Sequence, residues 1–350
     1  MSTINTDDGL LVPPPDSSPV RSVGDVARLI NRHAGSWKNS YARFIVFLAL
    51  GGVFLDAYDL TTLSYGIDAV VKDFGLTPTL TGVVTSSIMV GTIIGNLLGG
   101  WLTDKYGRYS VFMADMLFFV VSAIAAGLAP NVWVLIGARF LMGVGVGIDL
   151  PVAMAYLAEF SKFTGKGNKA SRLAAWCPMW YAASSVCFLI IFGLYFVLPQ
   201  AHIDWLWRAS LLFGAVPALL IIAVRSRFMN ESPLWAANQG DLSGAVRILR
   251  DSYGITAHEV APSPAEKKSP PKVSFRVLFR KPYRERTLVA AVMNICISFE
   301  YTAIAFFLPS ILAQFLGAGV FETISASLGL NALFAFTGGL LGMRLAWKFP

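Results

Sequence analysis

The sequence predicts an all-α integral membrane protein. Of its 350 residues, 55% are hydrophobic and only 14% are charged, and the mean hydropathy is +0.60. Soluble domains carry about a quarter charged residues, so this balance is typical of a chain that is buried in lipid. A membrane β-barrel would need segments of about ten residues with alternating polarity, and the sequence has none. The predicted fold is therefore a set of membrane-spanning helices.

Apolar stretches recur along the chain at a length that suits membrane helices. Each can supply the roughly 20 residues that an α-helix needs to cross a ~30 Å hydrocarbon core. There are eight, at residues 44–67, 81–103, 110–128, 133–160, 172–198, 206–224, 287–316 and 323–346. Glycine and proline occur within them, as is common in membrane helices. We therefore predict eight spans.

The polar segments divide the chain into four parts. Residues 1–43 include "VPPPDSSP" and show no signal-peptide pattern, which predicts a disordered tail. Residues 44–224 hold six spans and residues 287–350 hold two. The connection between them, 225–286, is the longest in the chain, with an amphipathic stretch "DLSGAVRILRDSYG" followed by the linker-like "APSPAEKKSPPK". Six spans, a long loop and further spans is the layout of a transporter with repeated halves.

Basic residues lie almost entirely on one side of the predicted topology. With the tail inside, 25 of the 28 Lys and Arg residues fall on the inner side, and Lys72, Arg139 and Arg208 are left near the outer side. The positive-inside rule then places the N-terminus and the 225–286 loop in the cytoplasm, in a multi-pass protein of the inner membrane. The net charge of +7 thus reports topology and contact with the lipid bilayer rather than nucleic-acid binding.

A charged turn between the second and third spans carries the first family resemblance. The stretch "GGWLTDKYGRYS" resembles the G-x3-D-(R/K)-x-G-R signature of the major facilitator superfamily. The matching residues are Gly100, Asp104, Lys105, Gly107 and Arg108. A tight turn between two helices needs glycine, and its charges can break and re-form contacts as helix bundles move. We therefore expect a gating element at this turn.

The fourth predicted span resembles the fingerprint of the sugar porter subgroup. In "LMGVGVGIDLPVAMAYLAEFSKFTGK" the matching residues are Gly143, Gly147, Tyr156, Glu159 and Lys166. The glycines would let a neighbouring helix approach closely, and Glu159 lies within reach of the basic loop. A third stretch, "NESPLWAANQG", resembles the P-E-S-P-R-W segment of the same subgroup. It matches at Glu231, Ser232, Pro233 and Trp235, whereas Asn230 and Leu234 replace the usual Pro and Arg.

The resemblance implies the major facilitator two-bundle fold over about residues 44–350. The first six-helix bundle would be complete and two helices of the second bundle would follow, so that four helices of the family are missing. The sequence would then be a fragment of a twelve-helix protein or a truncated relative. By the same resemblance, the gating motif comprises Gly100, Asp104, Lys105, Gly107, Arg108, Glu159 and Glu231.

Acidic and aromatic residues inside the apolar stretches are the candidate site. At 1.5 Å per residue, an aromatic pair and acids from three helices lie about 12–20 Å into the membrane. They are Asp56, Asp149, Glu300, Trp180 and Tyr181. Asp59 follows Asp56 at i+3 and shares its helix face. Because an ionised carboxylate in the bilayer is costly, we predict that these residues bind protons or contact the substrate.

Further resemblances favour proton coupling. "DAYD" at 56–59 resembles the D-x-x-D of phosphate:proton and aromatic-acid:proton symporters, and "GIDLP" resembles the phosphate group's G-D-Y-P, with Leu150 in place of Tyr. A desolvated carboxyl group can load and release a proton. Asp115, which lies nearer the inner side, is interpreted instead as an inner charge lock. Arg139 lies by depth near the outer face, where snorkelling to water is expected.

The predicted function is secondary active transport of a small polar metabolite, a sugar or an organic acid, by alternating access and proton symport. No phosphate-cradling loop, nucleophile triad or metal cluster is visible in the sequence, so we expect no enzyme activity, cofactor or metal. The expected partners are a small-molecule substrate, protons and lipid, with a monomeric chain. Inorganic phosphate:proton symport, proton-independent facilitation and a truncated, non-transporting membrane sensor or partner protein are the alternatives.

The topology can be tested by labelling. In a variant without the native cysteines, Ser269→Cys within the 225–286 loop should resist a membrane-impermeant thiol reagent added to intact cells and react after the cells are opened. The reason is the one-sided distribution of basic residues. Strong labelling of intact cells would overturn the predicted orientation.

Overall fold

Helices form nearly all of the architecture in the computed structural model, which describes residues 18–33, 40–160, 174–260, 277, 279–316 and 319–348. In chain order they are α1 (Val23–Arg32), α2 (Ser40–Phe74), α3 (Pro78–Tyr106), α4 (Arg108–Gly127), α5 (Val132–Phe160), α6 (Trp176–Val197), α7 (Leu206–Phe213), α8 (Ala215–Phe228), α9 (Pro233–Asn238), α10 (Leu242–Tyr253), α11 (Arg284–Glu300), α12 (Leu308–Leu316), α13 (Val320–Gly329) and α14 (Phe336–Lys348). A 3-10 turn at Gln200–Trp205 and π-helical turns at Tyr301–Ala305 and Leu330–Ala335 join neighbouring helices. The prediction of an all-α fold is confirmed.

Apolar helices long enough to cross a membrane account for most of the described chain. Among the described residues there are seven such segments, Pro78–Tyr106, Arg108–Gly127, Val132–Met154, Trp176–Val197, His202–Phe228, Arg284–Phe315 and Val320–Leu345. They correspond to the second to eighth predicted spans, and the first predicted span lies within the 35-residue α2. Large apolar side chains such as Leu97, Trp133 and Phe299 are exposed on their outer faces. Such a surface is suited to lipid rather than water.

Glycine brings α3 and α5 into close contact. A Cβ atom added at Gly143 would collide with the carbonyl oxygen of Ile88, and one added at Gly147 would collide with that of Thr92. On the facing helix, Gly91 and Gly95 are equally close to the α5 backbone. Only residues without a side chain allow two membrane helices to approach in this way. The predicted close approach at Gly143 and Gly147 is therefore confirmed.

Helix α6 contacts both the first bundle and the C-terminal spans. On one side it packs against α2, which in turn contacts α5 and α7. On the other side it packs against α13 and α14. Residues on α2 and α6 can therefore face both the interior of the first bundle and the space next to the last two spans.

The N-terminal segment differs from the expected disordered tail. Within the described part of that tail, β1 (Ser18–Val20) pairs in parallel with β2 (Ala257–Glu259), and α1 packs beside α9. Val20, Val26, Leu29 and Ile30 are buried in a core that also contains Ala236, Leu242 and Leu249 of the long loop. The prediction of a disordered tail is therefore wrong for residues 18–33, because Val20 of β1 and three apolar side chains of α1 are buried in this core. Residues 1–17 and 34–39 lie outside the described residues.

The long loop between the bundles carries its own helices. The Ser232 hydroxyl accepts a hydrogen bond from the Trp235 N–H at the start of α9 (3.4 Å), and an Asp241 oxygen accepts one from the Gly244 N–H at the start of α10 (2.7 Å). Gly254 ends α10 with φ at +63°, a conformation that glycine adopts at little cost. These residues frame the predicted amphipathic stretch, which is confirmed as α10.

Docking of α1 can be tested by substitution. Val26→Asp places a charge in a fully buried site, which costs several kcal/mol when the charge is unpaired. The rate of backbone amide hydrogen exchange in residues 18–33 should rise at least about tenfold. Arg28→Gln, which removes an exposed ion pair with Asp25 and an exposed hydrogen bond to the carbonyl oxygen of Gly24, is the matched control, because exposed ion pairs contribute less than ~1 kcal/mol. Equal exchange in both variants would show that α1 is not held by its apolar face.

Candidate functional site

A cavity of about 210 Å³ lies between α2, α6 and the last two spans. Its lining comprises Thr61, Ser64, Trp180, Tyr181, Ser184, Phe188, Tyr301, Ile304, Ala305, Leu308, Pro309, Leu330, Asn331 and Ala335. The Thr61 hydroxyl donates a hydrogen bond to the Ser184 hydroxyl oxygen at 2.9 Å, which ties α2 to α6 at the cavity wall. Aromatic faces and hydroxyl groups thus meet in one concave site, a combination typical of small-molecule pockets.

The predicted aromatic pair lies in this lining. The Trp180 ring meets the Tyr301 ring edge-on, with centroids 5.6 Å apart, and the Trp176 ring meets Trp180 at 6.4 Å. Tyr181 is half-buried beside them. Glu300 is exposed at the end of α11, although its charge acts on Tyr181 and Tyr301. The structure therefore brings Trp180 and Tyr181 to the cavity and leaves Glu300 at its border.

The predicted acids Asp56, Asp59 and Asp149 are absent from the described cavity lining and lie within the first bundle. Asp59, at 2% exposure, interacts electrostatically with Arg139 of α5. An Arg139 Nη1 hydrogen donates to the backbone carbonyl oxygen of Asp59 at 3.4 Å. Arg139 is fully buried, so the expectation that it snorkels to the outer face is wrong. The neighbouring acid keeps its guanidinium inside the bundle.

Asp149 pairs with a different arginine. Its Oδ1 lies 3.7 Å from Nη1 of Arg225 on α8, and both side chains are fully buried. A Cβ atom at Gly52 of α2 would collide with the Asp149 carboxylate, so glycine makes room for this acid one turn before Asp56. Asp56 interacts electrostatically with both Asp149 and Arg225. The acids of "DAYD" therefore face two separate arginines.

Sequence reasoning missed one member of this interior, Arg225. The apolar stretch ends at 224, which predicts that Arg225 lies in the loop, but α8 continues to Phe228 and Arg225 is buried. Asp115, expected as an inner charge lock, is fully buried next to Asp149 and Arg225. The sequence does contain a signal for the missed arginine. Arg225 comes directly after the sixth apolar stretch, and the earlier stretches contain several acids that need a positively charged partner.

Several residues of the predicted gating motif are joined through hydrogen bonds between side chains and backbone groups. The Glu231 carboxylate accepts hydrogen bonds from the backbone N–H groups of Arg108 (2.9 Å) and Tyr109 (3.1 Å) at the start of α4. Trp235 Nε1 and Gln239 Nε2 donate to the backbone carbonyl oxygen of Asp104 near the end of α3, at 3.1 and 2.9 Å. The segment after the sixth span thus caps both helices of the α3–α4 turn.

Glycine and burial shape this set of hydrogen bonds. Gly107 has φ at +92°, and a Cβ atom there would collide with the Glu231 carboxylate. Burial raises the pKa of Glu231, and the three N–H donors and the charge of Arg108 oppose that shift. A carboxylate at a helix N-terminus also interacts favourably with the helix dipole. Position 107 therefore requires glycine for both conformation and space.

The other motif residues have simpler surroundings. Lys105 lies over the rings of Trp101 and Tyr106, at 4.8 and 5.0 Å from their centroids. Gly100 is exposed, with open space around it. The side chain of Glu159 lies outside the described residues. Within the described residues, no group of three His, Cys, Asp or Glu side chains is placed to hold a metal ion.

Apolar helices that enclose a buried ion pair beside a polar cavity define a polytopic, helical membrane protein. The family model described as "Sugar (and other) transporter" matches residues 44–345, and the chain belongs to that family. The sequence-based assignment to the major facilitator superfamily and its sugar porter group is confirmed. The proteins that it resembles are transporters, which also confirms the expectation of a non-enzyme.

Relatives and solved structures extend this result. The chain is 31% identical over 309 residues to the inner membrane metabolite transport protein YgcS of Escherichia coli, covering 86% of this chain and 64% of YgcS. It is 28% identical to the niacin transporter NiaP of Acinetobacter baylyi, covering 76% and 58%. The structure of the proton:xylose symporter XylE has a TM-score of 0.67 at 18% identity, covering 89% of this chain and 70% of that one. The chain thus spans less than two thirds of these curated relatives.

The hydrogen bonds of Glu231 can be tested through stability. Glu231→Ala removes the acceptor for two helix N–H groups and should cost ~1–3 kcal/mol, whereas Glu231→Gln, which keeps one acceptor oxygen, should cost less. Because burial raises the folded-state pKa of Glu231, its stabilisation relative to Gln is complete below the ordinary carboxyl pKa. It declines as pH rises through the folded-state value.

Thermal unfolding across pH measures both effects. The control is Glu285→Ala, which removes an exposed acid in the first turn of α11. If Glu231→Ala unfolds at the wild-type temperature at every pH, the carboxylate does not stabilise the α3–α4 turn.

Proposed function

We propose that the protein is a secondary transporter of the inner membrane that moves a small polar metabolite by alternating access with proton symport. The observation that carries the proposal is the cavity between the first bundle and the last two spans, with its aromatic and hydroxyl lining. Substrate sites of such transporters lie where two bundles meet. The membrane relatives named above support this function.

The proposed topology has eight spans. α2 supplies the first, and the seven apolar segments supply the others. The first six would form one bundle, and the last two would belong to a second. The N-terminal segment and the loop that caps the α3–α4 turn would both lie in the cytoplasm, which agrees with the distribution of basic residues.

A neutral, sugar-like substrate fits the lining best. None of the described lining residues carries a formal charge, so they offer a phosphate or a carboxylate no cation. The Thr61 hydroxyl donates to Ser184 and the Ser64 hydroxyl donates to the backbone carbonyl oxygen of Phe306, so both can accept from sugar hydroxyls. The Ser184 hydroxyl and the second hydrogen of the Asn331 amide can donate to them. Trp180 and Tyr181 present rings on which an apolar sugar face can pack. The arabinose-proton symporter of Bacillus subtilis, 30% identical over 207 residues, supports this substrate class.

Proton coupling is proposed for Asp59 together with Arg139. Asp59 lies two residues before Thr61 of the cavity wall, on the same helix. Nε and Nη2 of Arg139 have no hydrogen-bond partner in the described structure, so they are available to an ionised Asp59. A protonated Asp59 would release the arginine, and the charge of the pair would change with each proton bound. Such a change at the cavity wall can link protonation to substrate binding.

Uptake by the full-length protein in proteoliposomes tests the proposal. Labelled sugars, carboxylates and phosphate are offered under an imposed proton gradient, with and without a protonophore. Concentrative uptake of a sugar should be abolished by the protonophore and by Asp59→Asn, whereas exchange down a gradient should persist in that variant. Asp204→Asn, at an exposed acid, is the control.

Each other outcome has a defined meaning. Accumulation by Asp59→Asn at the wild-type level would exclude coupling through this residue. Uptake of phosphate alone would favour the phosphate symporter. If no compound is transported although one of them raises the unfolding temperature, the protein is a sensor and the transport proposal fails.

A further inference from the structure

The interior of the first bundle contains an acid cluster that lies apart from the cavity. Asp56 of α2, Asp115 of α4 and Asp149 of α5 are all fully buried, as is Arg225 of α8. Asp115 interacts electrostatically with Asp149 and Arg225, and Asp56 interacts with the same two residues. Four helices of the bundle, α2, α4, α5 and α8, therefore meet at one charged cluster.

The donors of Arg225 are largely committed elsewhere. Its Nε and Nη2 donate to the backbone carbonyl oxygen of Leu48, at 3.3 and 3.1 Å, and its Nη1 donates to that of Phe112 at 3.4 Å. The guanidinium carbon lies 4.2 Å from the centroid of the Phe112 ring. The carboxylate with which Arg225 forms an ion pair is that of Asp149, at 3.7 Å. One arginine so engaged can balance one carboxylate, and the cluster has more.

The carboxyl oxygens of this cluster lack donors. Both oxygens of Asp56, of Asp115 and of Asp149 have no hydrogen-bond partner in the described structure. If all were ionised, the cluster would be strongly negative in a medium that does not solvate charge. A proton on one carboxyl both removes a charge and supplies an O–H donor, which a neighbouring carboxylate can accept. The described residues provide no metal site that could take this role.

We propose that Asp115 and Asp149 share one exchangeable proton, and that this carboxyl pair beside Arg225 is a proton-binding site distinct from Asp59. The site deepens the proposed function and rests on it only for its part in transport. Arg225 keeps Asp149 ionised, so the proton resides mainly on Asp115. Gly52 allows the Asp149 carboxylate to lie against the α2 backbone. A shift of α2 would therefore disturb the pair and change its affinity for the proton.

The other charged groups on the surrounding helices are distributed as follows. α2 contributes Asp56 within the cluster and Asp59 beside Arg139 of α5. α3 carries Asp104 and Lys105 exposed at its end, and α7 carries Arg208, which pairs with Asp73 at 3.2 Å. α4 begins with Arg108 near Glu231. Arg225 is thus the cation that faces the Asp115–Asp149 pair from the described parts of these helices.

Infrared difference spectroscopy of the purified full-length protein in lipid tests the site without any substrate. A protonated carboxyl group has a carbonyl stretching band that an ionised carboxylate lacks. At neutral pH, wild type minus Asp115→Asn should show one such band, and wild type minus Asp204→Asn should show none. A band of an ionised carboxylate in the Asp115 difference spectrum would overturn the proposal.

Two further measurements keep the test decisive. If Asp115→Asn does not fold, titration of the wild type decides, because complete absence of a protonated-carboxyl band at neutral pH refutes the shared proton. Where uptake is measurable, Asp115→Asn should lower the number of protons moved per substrate, and an unchanged ratio would refute a role in transport. Because the spectra need no substrate, failure of proton symport and failure of the carboxyl pair can be distinguished.

Discussion

Burial of the Arg225–Asp149 ion pair is the constraint on which the first bundle depends. Two charges that are fully removed from solvent must satisfy each other and nearby dipoles, since breaking such a pair costs ~3–5 kcal/mol. Arg225 meets this requirement by donating to backbone carbonyl groups of α2 and α4. The Asp149 carboxylate lies against the α2 backbone at Gly52. The pair therefore holds α2, α4, α5 and α8 in one mutual arrangement. Separation of these helices would expose uncompensated charge within the membrane.

The same helix, α2, serves both the charged interior and the cavity. Asp56 and Asp59 face arginines of the bundle, whereas Thr61 and Ser64 reach the cavity within the next two turns. If Asp59 binds the proton as proposed, a change of its charge would act on the cavity wall along the same helix, because Thr61 and Ser64 follow Asp59 on α2. Proton and substrate can occupy separate places and still influence each other.

The contrast between what the sequence predicts and what it misses follows from the range of the interactions. Hydropathy is local, so the spans after the first could be located from sequence, and the cost of intramembrane charge singled out Asp56, Asp59 and Asp149. The partners of these acids could not be predicted. Arg139 and Arg225 are brought to them only by helix packing, 80 residues away for the Arg139 contact. Likewise, Val20 and Val26 find their core in the loop near Leu242, far beyond any local pattern.

The α3–α4 turn is connected to the long loop through the caps of its two helices. Its two helices end on groups supplied by the segment after α8, through Glu231, Trp235 and Gln239. That segment also carries the core on which α1 packs and the strand that pairs with β1. The turn, the loop and the N-terminal segment are therefore linked through contiguous packing and hydrogen bonds. A rearrangement that moved the loop would have to release the caps of α3 and α4, and α4 carries Asp115 of the buried charge cluster.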